Sequence, residues 1–91
     1  MSQVDIKVNM MTAVTEVLNF RKNNPNADHE KIMQHISNIA KNTRNHQAKL
    51  GMIASASKAL SIIEKNPRLT DKEVIKQVME EIPNILQKIR E

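Results

Sequence analysis

Cysteine, tryptophan and tyrosine are missing from this chain of 91 residues, and phenylalanine and glycine occur once each, as Phe20 and Gly51. Without cysteine there is no disulfide framework, no thiolate metal site and no thiol nucleophile. With a single aromatic residue, stacking of side chains on nucleic-acid bases is nearly excluded. One glycine and three prolines are too few for the tight turns of a strand-rich fold. No apolar run reaches the length of a membrane span, and the opening Met1-Ser2-Gln3-Val4-Asp5 has neither the basic nor the apolar stretch of a secretory signal. The chain is therefore expected to be intracellular and cytoplasmic.

What is present is an apolar pattern of Ile, Val, Leu, Met and Ala at helical spacing, and it occurs twice. Residues 10–36 lie over residues 52–78 at an offset of 42. Met10 falls on Met52, Leu18 on Leu60 and Asn24-Pro25 on Asn66-Pro67, while Ile32, Met33 and Ile36 fall on Val74, Ile75 and Val78. Two amphipathic helix pairs can be slid into partial register without common origin. Duplication and convergent patterning nevertheless predict one architecture: an all-α, four-helix, bundle-like single domain of two tandem αα-hairpins, 1–42 and 43–91. A chain of this size buries only roughly 60–65% of its unfolded surface, so cover from a partner or a second copy would add stability.

The first helix is predicted from about Val4 to Lys22, with an apolar arc too wide for a surface helix. It is either central in the bundle or partly covered by another chain. Asn24-Pro25 makes a turn, because proline disfavours helix at the residue before it. Asp28 then caps a second helix bearing Ile32, Met33, Ile36, Ile39 and Ala40 on one side. The polar run Asn42-Thr43-Arg44-Asn45 is poor in helix formers and is read as a bend between two helices. One long helix over 28–65 is the competing reading, since Thr43, Leu50 and Ala54 stay in phase with Ile36. A third helix points Ile53, Ala56, Leu60 and Ile63 inward and stops at Asn66-Pro67. The fourth opens on a capping box, Thr70 with Glu73, flanked by Leu69 and Val74 as a hydrophobic staple. Its inward stripe is read as Val74, Ile75, Val78, Ile82, Ile85 and Ile89, with Pro83 opposite, where it kinks the helix or begins a new turn.

No catalytic constellation stands out. His29-Glu30 begins as a zinc-binding HExxH helix does, but Met33 occupies the place of the second histidine. His35 is rotated about 120° from His29 on a helix, so the two do not converge. The histidines read as solvated, with no metal or other cofactor implied. Acids at Asp71 and Glu73 suit a helix N-terminus, and Glu80-Glu81 suits open surface. Four short helices without a long loop offer little material for a catalytic pocket, so the chain is expected not to be an enzyme.

Charge is the one asymmetry. The chain carries a net +4, and residues 31–63 hold Lys31, Lys41, Arg44, Lys49 and Lys58 with no acid. A basic surface of Lys41, Arg44, His46 and Lys49 would suit a nucleic acid or an acidic partner. Against that stand the sparse charge, the single arginine of that segment and the absence of a helix-turn-helix signature. The methionines are read mainly as core, but Met10, Met11 and Met52 with Val8 form a candidate apolar surface for a partner. The leading expectation is a helix-mediated protein-interaction module that self-associates. The alternative is a small basic nucleic-acid-binding protein.

Overall fold

The computed structural model describes residues 3–90, which form four helices: α1 (Gln3–Asn23), α2 (His29–Ala40), α3 (His46–Lys65) and α4 (Asp71–Arg90). Each boundary has a local cause. At Asn24-Pro25 the Asn24 amide donates to the Phe20 carbonyl (2.8 Å) and the Ala27 amide to the Asn24 carbonyl (2.9 Å). Asp28, in an extended conformation, then accepts from the Lys31 amide at 2.9 Å and starts α2. After Ala40 the Asn42 and Thr43 amides bond carbonyls three residues back, which tightens the last turn and closes the helix. Asn45 caps α3 through the Ala48 amide at 2.9 Å. The chain therefore breaks at 41–45, and the single long helix does not form.

The second corner repeats the backbone bonds of the first. Asn66 donates to the Ile62 carbonyl (3.1 Å) and Leu69 to the Asn66 carbonyl (3.2 Å). Thr70, the position matching Asp28, accepts from the Glu73 amide at 3.2 Å, while Glu73 accepts from the Thr70 amide at 3.1 Å and its hydroxyl at 2.9 Å. This is the expected capping box. Burial repeats as well: Met10 and Met52, Val14 and Ala56, Val17 and Ala59, Leu18 and Leu60, Ile32 and Val74, and Ile36 and Val78 are all buried. Even two surface contacts of a carboxylate with a basic side chain exchange under the same offset. Lys22 at the end of α1 meets Asp71 at the start of α4 (3.4 Å), and Glu64 at the end of α3 meets His29 at the start of α2 (3.0 Å). Both pairs are exposed, so they mark the symmetry more than they stabilise it.

α1 and α3 form the centre, each touching all three other helices, while α2 and α4 flank them without meeting. The α1–α3 contact is the most extensive of the fold. Small residues let these two backbones approach: the position a Cβ would take on Gly51 lies 2.9 Å from Met10 Cγ. One turn along, the buried Ser55 hydroxyl donates to the Met10 carbonyl of α1 and to the Met52 carbonyl of its own helix, each at 3.2 Å. A hydroxyl shared this way has no unpaired atom to desolvate. The wide apolar arc of α1 is thus explained by a central position.

Three expectations are corrected. Met10 and Met52 are 0% and 2% exposed and belong to the core, not to a partner-binding surface, because they sit in the α1–α3 seam against Gly51 and Thr43. The buried stripe of α4 is Val74, Val78, Ile82 and Leu86, every fourth residue, while Ile75, Ile85 and Ile89 are half-buried beside it. His35 is not merely solvated: its ring stacks on Phe20 at 4.4 Å, and its Nε2 lies 3.3 Å from a Glu16 carboxylate oxygen, closing the α1–α2 seam.

Candidate interaction surfaces

Among the described residues, Leu50 and Val8 are the large apolar side chains left most exposed on the two central helices, at 43% and 60%. They occupy equivalent positions, since 8 and 50 are separated by the repeat offset. Each heads an apolar strip. On α1 the strip is Val8, Met11, Thr12 and Thr15, bordered by Lys7 and Glu16. The Thr12 and Thr15 hydroxyls donate to the Val8 and Met11 carbonyls (2.9 and 3.0 Å), so their donors are satisfied within the helix. On α3 the matching strip is Leu50, Ile53, Ala54 and Ser57, ending at Lys58.

The two strips differ in what stands beside them. That on α1 is a shallow hollow of about 460 Å³ on one helix. That on α3 faces Ile85, Lys88 and Ile89 of α4, and between the two helices runs an open groove of about 800 Å³. Its floor is apolar and its rim carries Lys58, Glu81 and Lys88. Such a groove, an apolar channel between two helices with charges along its margin, accepts apolar side chains presented at helical spacing. It was not foreseen from the sequence, because Leu50 reads as core phase and Ile85 and Ile89 as a buried stripe until α3 and α4 are placed side by side.

The remaining site residues fall as follows. Of the proposed apolar surface, Val8 is exposed and Met11 half-buried in the α1 strip, while Met10 and Met52 are core. Lys41, Arg44 and His46 are exposed and Lys49 half-buried, all at or beside the α2–α3 junction and the first turn of α3. None of these four forms an ion pair among the described residues, and the first turn of α3 holds no acid. His29 and His35 are drawn to separate carboxylates, Glu64 and Glu16. The pKa of Glu73 is lowered from 4.5 by hydrogen bonds from the Thr70 backbone and side chain, which favour the carboxylate. Among the described residues no helix is long and apolar enough to cross a membrane. No protein family, curated protein or solved structure matches the chain.

Proposed function

We propose that the protein is a non-enzymatic, helix-mediated interaction module, working in the cytoplasm as an adaptor, regulator or inhibitor through the α3–α4 groove. One observation carries this reading: an open groove of about 800 Å³, mostly apolar, lies on the surface between two helices. A groove so open is suited to side chains of another helix, which bring their own cover from water. Leu50 at its mouth is the anchor position, being large, apolar and 43% exposed.

The test is capture from nuclease-treated lysate by immobilised protein. Wild type should retain a protein partner, Leu50→Lys should lose it, and Lys31→Ala, on the exposed side of α2, should keep it. Retention indifferent to Leu50, or no retained protein by a wild type that is itself monomeric, overturns the reading. A second reading, binding of nucleic acid, is favoured by the unpaired Lys41, Arg44 and Lys49 around an acid-free helix start. It predicts retardation of DNA or RNA at low salt, abolished when these three are neutralised together. The log–log salt slope on duplex DNA should flatten by about three units in that variant. The interaction-module reading expects no retardation.

A further inference from the structure

The α3–α4 groove is uneven along its length. At one end lie Leu50, Ile53 and Ile89, with Ile89 Cδ1 3.5 Å from the Cβ position of Gly51. At the other end lie Lys58 and Glu81, which also border the next hollow beside Ile62 and Leu69. These two side chains carry opposite charge, share one end of the groove and form no ion pair among the described residues. One end is apolar with Lys88 at its margin, and the other holds both signs, so a second copy can offer Glu81 to Lys58 and Lys58 to Glu81.

We propose that the groove is covered by the same groove of a second copy of this chain, about a two-fold axis running along it. α3 and α4 run in opposite directions, joined by the corner at Asn66-Pro67. Such an axis therefore lays α3 of one protomer over α4 of its partner and keeps each end of the groove at its own height. Leu50 and Ile53 meet the partner's Ile85 and Ile89, and Lys58 meets the partner's Glu81, with every contact made twice. The interface is isologous and closes at two copies. A two-fold across the groove would instead bring Lys88 towards the partner's Glu81 and set Lys58 on the apolar end without a partner, so the Lys58–Glu81 pairing distinguishes the two axes. The α1 strip offers no equivalent surface: no second helix walls it, and Glu16 at its end is engaged by His35. The inference rests on the interaction-module reading and names the partner of its groove.

Sedimentation equilibrium at low salt tests it, with circular dichroism to verify the helices of each variant. Wild type should be a reversible dimer, and Leu50→Lys a monomer. Lys58→Glu alone and Glu81→Lys alone each set like charges together twice, and should weaken the dimer about tenfold or more. Mixing these two variants should restore it, because the heterodimer pairs Glu with Lys at both places. A dimer indifferent to both charge reversals, or a mixture that does not recover, overturns the proposed axis. Wild type that stays monomeric overturns the second copy as occupant. If Leu50-dependent capture persists in that case, the groove serves a helix of another protein and the module reading stands. If capture also fails, both fall.

Discussion

The first helix pair stops at Ala40; the second, at the equivalent Ile82, continues to Arg90. Up to those residues the halves share corners, caps and buried positions. After Ala40 comes Lys41-Asn42-Thr43, which has nothing to bury, and the chain turns. After Ile82 comes Pro83-Asn84-Ile85-Leu86, and the helix runs on through a proline that deprives the Met79 carbonyl of its donor. A proline inside a helix costs about 3 kcal/mol. Burying Leu86 and half-burying Ile85 and Ile89 returns a comparable amount, at roughly 1.5–3 kcal/mol for each fully buried side chain. Leu86, with Ile85 against it, joins Ile6, Met10, Ala48 and Ile82 in the second core cluster, while Ile85 and Ile89 wall the groove. Two halves alike in their core thus differ in surface, through the helical residues beyond Ile82.

The likeness of the cores can be broken hardest at Leu18 and Leu60, each 4% exposed. Leu18→Ala and Leu60→Ala should each cost about 2–5 kcal/mol in urea denaturation, and by similar amounts. A wide disparity would mean that the two sites, though equally buried, are not equivalently packed. Gly51→Val comes next. Its side chain meets the buried Met10 in the α1–α3 seam and should destabilise by about 1–3 kcal/mol despite the better helix propensity of valine. A stabilised variant would show that Met10 moves freely and that the close approach is not needed.

The smallest effect lies at the caps. Thr70→Ala should cost about 1 kcal/mol, and Lys72→Ala, exposed in the first turn of α4, should be neutral. Only the second half has the reciprocal acid, since the residue matching Glu73 is Lys31. The folded pKa of Glu73 is lowered, so its contribution is full above 4.5 and is lost as pH falls through the folded value. Glu73→Gln should therefore reduce the loss of stability seen below pH 4.5. An unchanged acid limb of the urea midpoint against pH would remove Glu73 from that role.

Helix number, both corners, the Asp28 cap and the Thr70–Glu73 box were legible because each is written within a few consecutive residues. Asn45 was not recognised as a cap, since it ends a polar run in which several residues have the same local chemistry. The α4 stripe was misphased for another reason. Ile85 and Leu86 are adjacent apolar residues, and only the position of α1 decides that Leu86 is the more buried. The stacking of Phe20 on His35 and the groove itself join residues from separate helices, and no local pattern announces them.

The seam between α1 and α3 also governs the order in which the protein can form. Neither helix finds its main partner next in sequence, so the core is assembled only after a loop of some forty residues has closed, at an entropic cost that grows slowly with length. Each half alone lacks the surface that its central helix needs. Peptides 1–42 and 43–91 should accordingly be largely unstructured when separate and should fold when mixed. In the intact chain, a Lys41–Asn45 junction that straightened during refolding at high concentration would let one molecule offer its first half to the second half of another.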